Sequence, residues 1–528
     1  MKKNKISISI IILIFLLISV FYPLITMLLK VEWSSFGSLI NSDAFKESLN
    51  NSLLVTTIAT LISIAIAYLL AYTLNRTNIE HRAILKIFLT LPMLIPSISH
   101  GLGLINLFGA NGIISKFFGF NIIGMPGIIL GSIMYSFPVA FLMLDDGFNY
   151  IDNSMYDNAK VLGLNKWQTF KTVTLCYLKK PIVSALFAVF TLIFTDYGVP
   201  LAIGGKFITL PVFLYKEVIG LLDFSKGTMI GLFLLIPAII SFIFDNFSKD
   251  YTSGEIKKKV IISSSKLKDI ILTIFVYFII FCIVTILGSF VYYAFINNYT
   301  TDRTFSLKHF EYIISNNVFN NVYNSLFIAI MVSIAGTIIT YFTAYVTARI
   351  KGKLGRFIHI LTISSLAIPG IVLGLSYTIA FKGTFIYSTY SILILVNIVH
   401  FMASPYLMAY NALQKVNQNY EIVAKTFNIG TFRTIKDIII PCTKKTLREM
   451  FAYLFVNSMV TISAVTFLFN TSNMPLSLLI NNYEGNMMLG EAAIISLIIL
   501  VFNVIIKGIV YLINRKEHKR SELNGTYI

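Results

Sequence analysis

Ala71-Tyr72-Thr73-Leu74-Asn75-Arg76 and Ala344-Tyr345-Val346-Thr347-Ala348-Arg349 stand 273 residues apart in one chain. Each closes a long apolar stretch on an arginine. The same spacing returns on both sides of them. Asn51-Ser52-Leu53 recurs as Asn324-Ser325-Leu326, Ile95-Pro96 as Ile368-Pro369, and Gly101-Leu102 as Gly374-Leu375. Further along, the spacing shrinks in two steps. Pro138 and Pro405 are 267 apart, and Ala159-Lys160 and Ala424-Lys425 are 265 apart. An offset that holds and then shortens stepwise marks a duplication with small deletions.

Composition sets the solvent in which the two copies fold. Of 528 residues, 56% are hydrophobic and 12% charged. An average soluble domain carries about 25% charged residues. So few charges cannot coat several soluble domains, and the mean hydropathy of +0.79 points to a bilayer. Disorder, a disulfide scaffold and a secreted enzyme are excluded. Cys176, Cys282 and Cys442 are too scattered for a metal or disulfide framework.

A helix needs about 20 mostly apolar residues to cross the hydrocarbon core. Twelve such stretches can be drawn, from Ile6–Leu29 to Gly490–Leu512. They include Ile84–Leu107, Ile182–Phe194 extended to about Pro200, Phe357–Ala380, Ser391–Tyr410 and Phe451–Phe469. With the N-terminus inside, cytoplasmic segments hold 33 of the 42 Lys and Arg, which predicts an N-in, C-in topology. The expected fold is an all-α polytopic membrane protein, with 12 transmembrane helices as two parallel six-helix repeats. Residues 1–247 form the first repeat, 248–268 a cytoplasmic linker with Lys257-Lys258-Lys259 and Ser263-Ser264-Ser265, and 269–528 the second. The net charge of +18 is split among seven segments, so it reads as orientation and headgroup contact, not nucleic-acid binding. Met1–Leu29 reads as an uncleaved first helix, since its apolar stretch outruns a signal-peptide core. Parallel repeats place a pathway between the halves.

In each half the longest internal loop follows the fourth span. Tyr156-Asp157-Asn158-Ala159-Lys160 leads to Gly163, and Tyr420-Glu421-Ile422-Val423-Ala424-Lys425 leads to Asn428. Gly and Asn tolerate the left-handed conformation that ends a helix. Each loop is therefore expected to be a short helix, a turn and a second helix at the membrane surface, over 156–176 and 420–441. Val161, Leu162 and Trp167 offer apolar contact, and Lys160 and Lys166 polar contact.

These loops resemble the EAA motif of ABC importer permeases of the MetI-like, type I group. The match is degenerate: Asp157-Asn158-Ala159 and Val423-Ala424 stand for Glu-Ala-Ala, and Asn428 stands where Gly is usual. Two fused halves look like the permeases for ferric iron, thiamine and 2-aminoethylphosphonate. Thr195-Asp196-Tyr197-Gly198-Val199-Pro200 looks most like the aminoethylphosphonate group, and Asn457–Val465 is shared more broadly with the iron group. The resemblance implies that Tyr156, Asp157, Ala159, Lys160 and Gly163, with Tyr420, Glu421, Ala424, Lys425 and Asn428, couple to two nucleotide-binding ATPase subunits. ATP and Mg would sit on those partners, and no cofactor on this chain. An extracytoplasmic substrate-binding protein would deliver the solute at the cell membrane. The helices that carry Asp196, Tyr197, Ser458, Thr461 and Ser463 line the pathway in that family, so these five are the pathway candidates.

A nucleotide-binding loop needs Gly-x4-Gly-Lys-Ser/Thr. Gly205-Lys206 is followed by Phe207 and Gly352-Lys353 by Leu354, so the chain is not expected to hydrolyse ATP. His100, His359 and His400 lack metal-ligand spacing and read as packed, hydrogen-bonded residues. Glu491 reads as a solvated acid at a helix start. The rival function is a secondary active transporter with the same parallel six-plus-six plan, which would need coupling charges deep in the spans.

Overall fold

The helices are inside out relative to those of a soluble protein. In the computed structural model, which describes residues 2–115, 121–149, 151–247, 266–299, 301–349 and 352–523, helix Asp43–Arg76 buries Ser48, Ser52, Thr56, Ala59, Ser63, Ala67 and Ala71. It leaves Leu53, Leu54, Leu61, Ile62 and Leu69 exposed. Small residues let helix backbones approach in lipid, where apolar burial supplies no drive. Its neighbour Met125–Asn149 answers with Gly131, Ser132 and Ser136, and Ser63 and Ser136 share a hydrogen bond of 2.9 Å.

Among the described residues, eight helices are long and apolar enough to cross a membrane, or up to eleven if each of three bent pairs counts as one. The expected single spans Ile84–Leu107 and Phe357–Ala380 are both broken. Arg82–Leu94 and Ser97–Phe108 meet at 99°, and Lys353–Ala367 and Gly370–Phe381 at 109°. The repeated Ile-Pro dipeptides lie at the breaks. Proline bars its predecessor from helical backbone, and Ile95 (ψ 152°) and Ile368 (ψ 110°) are extended. Ser391–Tyr410 is likewise bent, by 54° between Tyr390–Phe401 and Ala403–Lys415. Phe401 is the residue whose carbonyl the ring of Pro405 would strike. Pro138, at the matching place, leaves Met125–Asn149 one helix.

Two further expectations are corrected. The fifth span does not run to Pro200: helix Leu175–Phe194 stops, and after a turn a short helix Gly198–Ile203 begins. The eleventh does not reach Phe469. Helix Ile440–Val460 carries Lys444, Lys445, Arg448 and Glu449 in its first half, so it misses the apolar test, and 461–475 run through turns. An antiparallel hairpin, Ile296–Asn298 with Asp302–Phe305, adds a small sheet to the all-α plan. Residues 248–265, most of the expected linker with its lysine and serine runs, lie outside the described residues.

The halves interlock. The first helices, Lys2–Leu16 and Tyr22–Leu29, pack on Phe319–Arg349, Lys353–Ile363 and Gly370–Phe381 of the second half, and Tyr377 Oη donates to the Ser19 carbonyl at 2.6 Å. Helix Lys266–Ala294 packs on Asp43–Arg76, Arg82–Thr90 and Ser97–Phe108 of the first half, with Tyr293 Oη donating to the Asn106 carbonyl at 3.1 Å. The largest apolar cluster draws on residues from both ends of the chain.

Candidate functional site

The two internal loops fold alike, residue for residue. Helices Asn153–Val161 and Asn419–Thr426 come first. Each ends on a left-handed residue, Gly163 (φ 71°) and Asn428 (φ 54°), as the sequence predicts. Single turns Lys166–Thr169 and Thr431–Thr434 follow, then π-helical turns Phe170–Thr174 and Ile435–Ile439. All of these turns stand 265 residues apart. Asp152 caps the first helix through the Ser154 amide at 3.0 Å, and Asn165 and Gln168 close a reciprocal capping box at 2.9 Å each way.

The motif alanines face inward: Ala159 and Ala424 are each 3% exposed. Lys160 and Lys425 face water. So do two apolar pairs at the same offset. Leu162 and Phe427 are 75% and 74% exposed, and Trp167 and Phe432 70% and 72%. Phe427 and Phe432 were missed in the sequence, though applying the offset to Leu162 and Trp167 points to them.

Each loop is tied to the span above it by the repeated arginine. Arg349 Nε meets Glu421 Oε1 at 2.7 Å and its Nη2 donates to the Val416 carbonyl at 3.1 Å, with both side chains almost fully buried. Arg76 instead lies over the rings of Phe148 and Tyr156, at 5.5 and 5.3 Å. Tyr156 also shares a hydrogen bond of 3.0 Å with Thr174 Oγ1. The mate of Glu421 is therefore Tyr156. Asp157 is exposed and accepts from Asn153 Nδ2 at 2.9 Å, and Tyr420 is half exposed.

At the other end of the bundle the repeated Asn-Ser pairs anchor the segments that follow the fifth and eleventh spans. Ser52 Oγ accepts the Leu210 amide and Ser325 Oγ the Leu476 amide, both at 2.7 Å. Asn51 Nδ2 donates to the Ile208 carbonyl at 3.1 Å and Asn324 Nδ2 to the Ser472 carbonyl at 2.9 Å. The helix breaks meet the turns that follow the fifth and eleventh spans. A Cβ on Gly198 would lie 2.3 Å from Ser97 Oγ, and one on Gly370 would lie 2.2 Å from Ser463 Oγ. Ser97 and Gly370 are repeat mates, as are Gly198 and Ser463. The contact is the same, with serine and glycine exchanged.

The pathway candidates divide between these turns. Asp196 accepts the Gly198 and Val199 amides at 3.3 and 3.0 Å and a hydrogen bond from the Ser97 side chain, so it is a built-in cap. Tyr197 is buried at the seam, where its hydroxyl and Thr466 Oγ1 of the other half lie 3.0 Å apart. Ser458 is buried with no partner for its hydroxyl. The Thr461 carbonyl accepts from Ser477 at 2.7 Å, and Ser463 sits against Gly370 beside His400. Glu491 is not a solvated helix-start acid. It is buried and pairs with His309 Nδ1 at 2.9 Å. His359 is hydrogen-bonded to Tyr406 Oη at 2.5 Å. The nitrogens of His100 and Nδ1 of His400 make no well-formed hydrogen bond. Among the described residues no three His, Cys, Asp or Glu side chains gather to hold a metal.

Residues 63–296 and 336–519 each match the family of binding-protein-dependent transport system inner membrane components. A ferric transport system permease protein of Actinobacillus pleuropneumoniae is 26% identical over 420 residues, 75% of this chain and 61% of that one. A putative ferric transport system permease protein of Haemophilus influenzae is 26% identical over 420 residues, 75% of this chain and 66% of its own. A molybdate/tungstate transport system permease protein of Methanocaldococcus jannaschii is 25% identical over 244 residues, 46% of this chain and 96% of its own. The chain thus spans 61% and 66% of the length of the two ferric relatives.

Proposed function

The chain belongs to the family of binding-protein-dependent transport system inner membrane components, and from that membership we propose that it is the membrane subunit of an ATP-driven importer. The observation that carries this reading is the duplicated loop. Two short helices, each ending on a left-handed residue and followed by the same turns, expose an apolar pair at matching positions, Leu162 and Trp167 in one and Phe427 and Phe432 in the other. A helix laid into a groove is read through such exposed anchors. Each loop would dock one ATPase subunit, with ATP and Mg bound there and not on this chain. ATP-driven closure of that pair would push the two loops together and turn the pathway outward, and hydrolysis would return it. This is a population shift set by differential binding.

Twelve crossings with both termini inside fit the arginine and lysine bias, with Ile440–Val460 and each bent pair counted as a crossing. The pathway would run between the turns that carry Asp196 and Tyr197 and those that carry Thr461 and Ser463, with Ser458 one turn below. A separate binding protein would present the solute on the outer face. The names of the two relatives that cover the most of this chain favour ferric ion over 2-aminoethylphosphonate as that solute. The secondary-transporter alternative draws no support from the family.

The test is uptake of labelled ferric iron and of labelled 2-aminoethylphosphonate by cells with and without this chain. The reading expects loss of the iron signal alone, together with an ATPase that copurifies with the chain. Loss of the phosphonate signal alone would keep the importer and change its solute. Uptake that follows an ion gradient, with no copurifying ATPase, would overturn it.

A further inference from the structure

We propose that the first half holds a binding site for a small, dehydrated monovalent cation of sodium size, coordinated by the Asp196 carboxylate and the hydroxyls of Thr56, Ser132 and Thr209. The site does not depend on which solute the chain carries.

Asp196, Thr56, Ser132 and Thr209 line one small pocket, walled by Val55, Ile128 and Pro200. Its free space suits a single water-sized occupant. The hydroxyl of Thr209 is buried there without a hydrogen-bond partner, and the residue is 4% exposed. A bound ion is one way to satisfy a buried polar atom left unpaired in a native interior, and here that atom shares its pocket with a carboxylate.

Charge balance says which occupant. A carboxylate offers about four lone-pair sites, and three donors reach Asp196: two amides and the Ser97 hydroxyl. One site is left. No Lys, Arg or His forms an ion pair with Asp196 among the described residues. A buried carboxylate without a counter-charge is unfavourable, and within a bilayer such a group marks function. A neutral water would fill the space but leave the charge. A hard cation with oxygen ligands settles both.

The duplication supplies an internal control. By the offsets of 273, 267 and 265, the mates of Thr56, Ser132 and Asp196 are Ala329, Val399 and Thr461. At these three positions the second half lacks the carboxylate and the hydroxyls that match Thr56 and Ser132, as expected if they serve one ligand. An occupied site would pin helices Asp43–Arg76 and Met125–Asn149 to the turn after Leu175–Phe194. It would hold Tyr197 at its seam contact with Thr466.

The experiment is thermal unfolding of the full chain, purified with whatever ATPase accompanies it, in sodium, potassium or choline chloride at equal ionic strength. The expected result is a saturable rise in Tm of several degrees with sodium only. Asp196→Asn keeps an oxygen for the two amides but removes the charge, and should abolish the rise. Thr56→Val leaves Asp196 untouched and should blunt it, which guards against a folding defect in the first variant. Equal Tm in all three salts would overturn the site. So would a stabilisation that appears on acidification and not with sodium, since a proton would then be the occupant.

Discussion

The two helix breaks are the same joint built with the side chains exchanged. In the first, Ser97 presses its hydroxyl on Gly198; in the second, Ser463 presses its hydroxyl on Gly370. Each joint has room for one hydroxymethyl group, and which side supplies it is free. The arginine ties make the converse point. Arg76 and Arg349 stand at one place and hold their loops by different means, one on aromatic faces and one on a buried carboxylate. Duplication preserves the geometry of a contact more strictly than its chemistry.

The widest gap between the halves should appear at the arginines. Arg349→Ala strands buried Glu421 without its cation, which costs about 3–5 kcal/mol. Arg76→Ala loses a cation–π contact worth about 0.5–2 kcal/mol. Denaturant unfolding of the two variants in detergent should rank them in that order, and equal losses would break the comparison.

The breaks come next. Gly370→Ala overpacks a tight joint, at about 1–3 kcal/mol, and adding Ser463→Gly should recover most of the loss, since the nearest atom is the Ser463 hydroxyl and the one left, His400 Nε2 at 3.0 Å, belongs to a side chain and not to backbone. Gly198→Ala should lose a similar amount, but Ser97→Gly should recover only part. The Ile98 backbone nitrogen would still lie 2.9 Å from the new Cβ. Melting temperatures of the four variants decide this.

Symmetry should return at the loop anchors. Ser52→Ala and Ser325→Ala each leave one buried amide unpaired, at about 1–3 kcal/mol. Their unfolding midpoints should shift alike, and a shift in only one half would show that the anchors are not equivalent. The smallest effect on folding belongs to the exposed knobs. Trp167→Ala and Phe432→Ala should stay within about 0.5 kcal/mol of the parent, while both weaken retention of the ATPase on a column. Retained ATPase in both variants would remove the knobs from the docking face.

The sequence was most legible where a pattern repeats. The offsets of 273 and 265 paired the Ile-Pro dipeptides, the Asn-Ser dipeptides, and Gly163 with Asn428 from the sequence alone. It did not show that the spans at Pro96 and Pro369 turn through roughly a right angle, because hydropathy is blind to direction. The pairing of Glu491 with His309 spans 182 residues and leaves no local signal. Helix Ile440–Val460 ends earlier than its apolar content suggests, because hydropathy carries on through the turns at 461–469. Phe427 and Phe432 were within reach, had the offset been applied to exposed residues as well as to the motif.

The central claim is that each half of this chain holds one ATPase through its own loop. Native mass spectrometry of the complex purified on this chain tests it most directly. The account predicts two ATPase subunits per chain, falling to one when Trp167 and Leu162 are both replaced by Ala or when Phe427 and Phe432 are. A complex with a single ATPase subunit, or one whose composition ignores both pairs of substitutions, would contradict it.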